Sequence, residues 1–157
     1  VPMEVRDDDI NIGNLYDAPP RYFVFAGLVF TPLTLDYVKT FGRNWRGVAN
    51  LEMIYELYYR RNETPAKVRK EPVVLATTLA HPVNADMRLA SRAMVDTING
   101  KRIETLEDVI TAFEENTKPQ HIIKFISGTV ECLDNTQAEL ANPEILSTYG
   151  IQTDRRL

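Results

Sequence analysis

The sequence predicts an α+β domain of about five strands and three or four helices. Three observations carry this prediction. An aromatic, β-branched run fills residues 22–30. Apolar side chains recur at helical spacing over residues 48–60 and 105–117. The dipeptides Asn99-Gly100 and Ser127-Gly128 separate short apolar stretches, as turns between strands do. Strands and helices are mixed along the chain rather than strictly alternating.

Residues 1–20 are polar, broken by Pro2, Pro19 and Pro20, and carry the acidic run Asp7-Asp8-Asp9, the composition of a linker arriving from an upstream domain. The chain opens Val1-Pro2 without methionine, so it is expected to be a piece of a longer one. From Arg21 the character changes. Tyr22-Phe23-Val24-Phe25-Ala26-Gly27-Leu28-Val29-Phe30 reads as one buried strand interrupted by a glycine, and Pro32 closes it because proline donates nothing to a ladder. Residues 48–60 form an amphipathic helix with Val48, Leu51, Ile54 or Tyr55, and Tyr58 on its packed face. Arg60 to Glu71 is a basic, polar loop, and Pro72 opens the strand Val73–Leu79. A less regular stretch follows His81-Pro82 up to Arg92, and Ala93–Ile98 is a short strand turned by Asn99-Gly100.

Thr105 is a helix N-cap, with Asp108 three residues on to answer its amide. The helix it opens carries Leu106, Val109, Ile110 and Phe113 on one face, and Pro119 marks its end. His121–Ile126 and Thr129–Leu133 flank a two-residue hairpin turn at Ser127-Gly128. The polar tail holds one short helix at Pro143-Glu144-Ile145-Leu146. Phe30, Val74, Ile98, Leu106, Val109, Phe113 and Phe125 are the expected core.

The composition is that of an ordinary globular domain, with 44% hydrophobic and 25% charged residues in 157. A net charge of −4 and the absence of a basic stripe argue against nucleic acid as a partner. No apolar run is long enough to span a bilayer, and no signal-peptide pattern opens the chain. The single cysteine, Cys132, forbids an internal disulfide and reads as a small core side chain. Catalysis finds no constellation. Ser91, Ser127 and Ser147 stand outside any glycine-framed nucleophile turn, and His81 and His121, at a strand end and a strand start, read as structural. No ligand spacing suits zinc or calcium and no glycine-rich loop cradles a phosphate, so no metal or cofactor is expected. Trp45, Tyr55, Tyr58 and Tyr59 read as core rather than as stacking platforms for bases.

Three features occur in a fixed order: Ala26-Gly27-Leu28-Val29-Phe30, the stretch Ile98-Asn99-Gly100-Lys101-Arg102-Ile103, and the helix of residues 105–117 followed by a hairpin. This order resembles PDZ domains, whose carboxylate-binding loop has a Gly-Leu-Gly-Phe pattern and whose last long helix follows an Asn-Gly turn. The run from Arg21 to Thr34, preceded by Pro19-Pro20, is similar to the opening of the C-terminal PDZ-like domain of HtrA/Deg (protease Do-like) serine proteases. Leu79, Val83-Asn84-Ala85, Val95–Gly100 and Ile145-Leu146 fall where that domain type has similar residues, and the resemblance covers residues 19–157.

The resemblance implies a PDZ-like fold: a small antiparallel β-barrel or sandwich flanked by helices, with an inserted helix near 48–60. It implies a linker at 1–20, the PDZ-like domain at 21–134 and a helical tail at 135–157. The implied role is a non-catalytic regulatory or assembly domain of a trypsin-like serine endopeptidase, with the catalytic domain upstream. Such proteases are ATP-independent oligomers of protein quality control, for which periplasm or an organelle is the expected compartment. The alternative role is a module that captures substrate C-termini. The implied partners are other domains or subunits of the parent protease, and peptide C-termini.

The physics of such a site is backbone chemistry. Gly27 lets the loop expose successive N–H groups as a nest for a carboxylate, the strand Leu28-Val29-Phe30-Thr31 offers an edge, and Asp108, Thr111 and Ala112 on the helix line the opposite wall. Two departures from the family pattern stand out: Val29 replaces the second loop glycine, and Arg92-Ala93 stands near the place of a usual glycine-aspartate pair. Asp108 has two readings, a groove residue that repels a carboxylate or a helix cap. The chain ends Arg155-Arg156-Leu157, a hydrophobic terminus of the kind PDZ grooves accept. The favoured reading is a frayed end; the other sets the tail between residues 27–31 and helix 105–117 of the same or a neighbouring subunit.

Overall fold

The computed structural model describes residues 19–45, 51–63, 65–87 and 92–157. The linker reading of the N-terminal stretch up to Ala18, the helical position of Val48, and Ser91 lie outside these residues. The domain is α+β, built among the described residues on one antiparallel sheet of eight strands rather than about five. In chain order these are β1 (Tyr22–Phe25), β2 (Leu28–Pro32), β3 (Val73–Thr78), β4 (Ala93–Ile98), β5 (Lys101–Arg102), β6 (Gln120–Phe125), β7 (Val130–Asp134) and β8 (Arg155–Arg156). Across the sheet they run β7-β6-β4-β3-β2-β1-β8, with β5 beside β4.

The aromatic run at 22–30 is a hairpin, not a single strand. Phe25 pairs with Leu28, and the two residues between them are both left-handed, Ala26 at φ 50 and Gly27 at φ 85. That is the turn whose twist matches the flanking strands. Alanine is crowded in this region of backbone space, but Ala26 is held from both sides. Its N–H donates to Asn142 Oδ1 at 3.0 Å and its carbonyl accepts from Asn84 Nδ2 at 3.0 Å. Asn99-Gly100 turns the chain as its dipeptide requires. The last hairpin is longer than two residues: Phe125 N–H donates to the Thr129 carbonyl at 2.9 Å, leaving Ile126-Ser127-Gly128 as the loop.

Five helices flank the sheet among the described residues: α1 (Leu35–Lys39), α2 (Leu51–Tyr58), α3 (Arg60–Glu63), α4 (Leu106–Glu114) and α5 (Asn135–Thr148). Helix α4 follows its sequence reading. Thr105 Oγ1 accepts from the Asp108 amide at 3.3 Å while Asp108 Oδ2 accepts from the Thr105 amide at 3.1 Å, and Leu106, Val109, Ile110, Ala112 and Phe113 are buried.

The packed face of α2 is different from the expected one. Met53, Glu56 and Leu57 are buried, whereas Leu51 is 84% exposed and Tyr58 and Tyr59 are 39% and 54% exposed. Residues 51–59 are so rich in apolar and aromatic side chains that the period admits more than one phase. The chain takes the phase that seats Met53 and Leu57 among Leu33, Val38, Trp45, Val74 and Met94. Residues 60–71, read as a loop, contain α3 and a short 3₁₀ turn at Pro65–Lys67. Arg69 beyond them is buried, donating to the Ile103 carbonyl at 3.0 Å and pairing with Asp96.

Helix α5 is fourteen residues long, not the short segment read at 143–146. Asp134 caps it by accepting from the Gln137 amide at 2.8 Å, and it buries Ala138, Ala141 and Ile145. Pro143 lies inside it on the exposed side. The expected core residues Phe30, Val74, Ile98, Leu106, Val109, Phe113 and Phe125 are all buried, none more than 2% exposed. Most of them lie between the sheet and α4.

Candidate functional site

Strand β2 lies inside the sheet, paired with β1 on one side and β3 on the other, so no open edge runs along Leu28–Thr31. Leu28 and Phe30 are fully buried, and Val29 and Thr31 are half-buried. The turn before β2 is equally engaged. The Ala26 amide is held by Asn142, and the Gly27 carbonyl accepts from the Leu79 amide at 2.7 Å. A Cβ on Gly27 would stand 2.4 Å from the Leu79 carbonyl oxygen and 2.5 Å from Asn84 Nδ2.

On the helix side, Asp108 is a cap. Its Oδ2 accepts from the Glu104 and Thr105 amides at 3.0 and 3.1 Å, and Lys101 Nζ lies 3.4 Å from Oδ1. Thr111 donates to the Glu107 carbonyl at 3.0 Å, and Ala112 is buried. Gly27 therefore belongs to a closed turn, Leu28, Val29, Phe30 and Thr31 to the sheet interior, and Asp108, Thr111 and Ala112 to a capped helix.

Beyond β2 the sheet continues through β1, whose outer side is covered by the chain's own tail as β8. Tyr22 pairs with Arg156 and Phe23 with Arg155 in antiparallel register. The Val24 amide donates to the Asp154 carbonyl at 2.7 Å, and the Tyr22 hydroxyl donates to the Thr153 carbonyl at 2.9 Å. The Arg155 guanidinium lies 5.2 Å from the centre of the Phe23 ring and donates to Glu114 Oε1 at 2.8 Å. It is also bonded to Asp154 at 2.9 and 3.0 Å, and Asp154 and Glu114 together raise its pKa above the ordinary arginine value. Arg156 lies 5.5 Å from the Tyr22 ring centre. The tail is thus an added strand rather than a frayed end, but it lies on β1, not against residues 27–31. Arg155 is seated, while Arg156 and the terminal Leu157 are exposed.

Behind β1, the Phe113 ring is the hub of an aromatic cluster. Its centre lies 4.7 Å from Phe25, 5.7 Å from Phe30, 6.3 Å from Phe23 and 5.0 Å from His121. His121 is fully buried. Its Nδ1 accepts from the side-chain amides of Asn99 and Asn116, both at 3.0 Å, so the proton sits on Nε2 and is donated to Asn135 Oδ1 at 2.9 Å. Burial pushes its pKa below the usual imidazole range, partly opposed by Asn135. His81 is structural too: Nδ1 accepts from the Val83 amide at 3.2 Å, and Nε2 stands 3.5 Å from Glu144. Cys132 corrects its sequence reading. Leu133 takes the inward position on β7, which turns Cys132 outward to solvent.

The neutral His121 gives a pH dependence with a defined sign. The unfolded chain takes up a proton below the ordinary imidazole pKa of 6.5, and the folded chain resists it until lower pH. The stability contributed at neutral pH is expected to be lost on acidification below that point, at up to about 1.4 kcal/mol per pH unit. Urea melts at several pH values between 7.5 and 5 measure this, and the wild type should lose more stability on acidification than His121→Gln. Parallel pH profiles for the two proteins would refute it.

No group of three or more His, Cys, Asp or Glu among the described residues is placed to hold a metal, and no described helix is long and apolar enough to cross a membrane. A family model described as "PDZ domain" matches residues 12–156. Protease Do-like 2, chloroplastic, of Arabidopsis thaliana is 26% identical over 137 residues, which is 87% of this chain and 21% of that protein. The chain therefore spans about a fifth of the length of that relative.

Proposed function

The chain belongs to the PDZ domain family, and from that premise we propose that it is a non-catalytic regulatory and assembly domain of an HtrA/Deg-type serine endopeptidase. One observation carries the reading over peptide capture: the sheet edge where an extended ligand would add is taken by the chain's own residues 155–156. The turn at Ala26-Gly27 supports it, since the Ala26 amide and carbonyl and the Gly27 carbonyl already have partners. The similarity to a Do-like protease supports the parent enzyme. In this reading a linker at 1–20 follows an upstream trypsin-like domain, residues 21–134 form the PDZ-like body and residues 135–157 a helical tail on it. The partners are neighbouring domains or subunits of the protease, in a quality-control role in periplasm or an organelle. Capture of substrate C-termini is the second reading.

By itself the chain is expected to leave unfolded casein intact, because among the described residues no nucleophile, base and orienting acid come together. Hydrolysis that survives repurification and disappears on changing Ser91, Ser127 or Ser147 would overturn this. In the parent protease, deleting residues 21–157 is expected to change the oligomeric mass measured by light scattering. Unchanged mass, with loss confined to turnover of substrates bearing a free C-terminal hydrophobic residue, would favour capture instead.

A further inference from the structure

Helix α2 turns an apolar stripe outward, where a helix packed on one side only ordinarily carries polar residues. Leu51, Tyr55, Tyr58 and Tyr59 recur at helical spacing along that side, and Leu51 is 84% exposed. The Tyr59 amide donates to the Tyr55 carbonyl at 2.9 Å, which carries the helical turn one residue further. Leu51, Ile54, Tyr55 and Tyr59 line an open apolar groove of about 360 Å³, with Glu52 at its start and Arg60 at its end. The groove is held in shape. The Tyr55 and Tyr59 rings stack with centres 6.4 Å apart, and the Tyr55 hydroxyl donates to Glu63 Oε2 at 2.7 Å. The Arg60 guanidinium lies 4.9 Å from the Tyr55 ring centre and pairs through Nε with the buried Glu56. Aromatic side chains fixed in this way lose little conformational freedom on contact.

We propose that this face docks on the same face of a second copy of the chain, with the two α2 helices antiparallel about a two-fold axis. The charges select both the occupant and its direction. Glu52 and Arg60 stand at opposite ends of the groove, about 12 Å apart along the helix. Antiparallel packing sets each Glu52 beside the partner's Arg60, twice over, and lays Leu51 on the partner's Tyr58 and Tyr59. The guanidinium fork has further donors for that glutamate beyond the Nε that pairs with Glu56. Parallel packing would bring like charges together at both ends, which is costly. A surface that is its own complement is what a two-fold contact requires. The inference rests on the assembly reading above and names the surface and the partner for it. A contact made by one short helix from each side falls below the ~1,200 Å² of a standard interface, so it is weak alone and gains strength when subunits are linked.

The test is sedimentation equilibrium of the full chain, whose mean mass is expected to rise toward the dimer between roughly 10 µM and 1 mM. Leu51→Ser and Glu52→Arg are each expected to weaken self-association by roughly tenfold or more. Arg60→Glu should do the same, because it sets two carboxylates together at each end of the contact. Mixed in equal amounts, the Glu52→Arg and Arg60→Glu chains should pair with one another at least roughly tenfold more tightly than either pairs with itself, since the mixture restores both opposite-charge contacts. Melting curves identify any variant that fails to fold. Should Arg60→Glu fail, because it leaves the buried Glu56 without its partner, Leu51→Ser and Glu52→Arg decide the matter. A wild-type chain that stays monomeric, self-association unmoved by Leu51→Ser or Glu52→Arg, or folded charge variants with no preference for one another would overturn the proposal. A monomeric chain whose α2 variants still lower the mass of the parent protease would assign the face to a different domain, and so overturn it too. These outcomes are separate from failure of the assembly reading, which is measured by deleting residues 21–157 from the parent.

Discussion

Replacing Phe113 with alanine is expected to cost about 3–5 kcal/mol, the range for a fully buried phenylalanine. The ring is 2% exposed and lies against Phe23, Phe25, Phe30 and His121. Removing it empties the space between α4 and the first hairpin. The neighbouring rings are fixed by the sheet pairing of β1 and β2, so little of the cavity can collapse. Urea denaturation measures the loss, and Phe113→Leu should recover a large part of it because most of the volume returns. A loss below about 1 kcal/mol, the level of a surface change, would mean that this face of α4 is not packed as described.

Gly27→Ala is expected to cost about 2–4 kcal/mol, with two separable causes. The first is backbone conformation, since Gly27 has φ 85. The second is space, because the new methyl would meet the Leu79 carbonyl at 2.4 Å and Asn84 Nδ2 at 2.5 Å. The carbonyl is main chain, tied to the turn by the 2.7 Å bond from the Leu79 amide to the Gly27 carbonyl, and Asn84 can swing away only by giving up its bonds to the Ala26 and Leu79 carbonyls at 3.0 and 2.9 Å. Gly128→Ala is the control. Gly128 has φ 91, but nothing lies within 4 Å of the place its Cβ would take. It should lose about 1 kcal/mol, the backbone share alone. Equal losses at the two positions would refute the crowding at Gly27.

Helix α4 was legible in the sequence because cap, period and stop all agree: Thr105 with Asp108, the spacing of Leu106, Val109, Ile110 and Phe113, and the following Pro119. The hairpin at 22–32 was hidden by Ala26, which stands where such a turn ordinarily has asparagine, aspartate or glycine. A lone glycine within an aromatic run was the available signal. Helix α5 was hidden because its buried face is two alanines and an isoleucine, a weak stripe, and because Pro143 reads as a helix start.

The site was legible only in its parts. The tail's arginines are in plain view, but their partners Phe23 and Glu114 are brought beside them by long-range pairing. Nothing local in Asp154-Arg155-Arg156 announces a strand. The groove reading of Leu28–Thr31 depended on that segment being an edge, and edge or centre is decided by strand order, which the local pattern does not encode.

The antiparallel pairing of Tyr22 with Arg156 also sets how the domain answers mechanical load. Residues 21 and 157 lie at the same end of the β1–β8 pair. Tension applied through them opens the ladder one bond at a time, like a zipper, rather than shearing all its bonds at once. The last strand peels first and at low force, while β1 stays anchored along its other side by β2. A pull along the chain would therefore bare the edge of β1 before the core between the sheet and α4 yields.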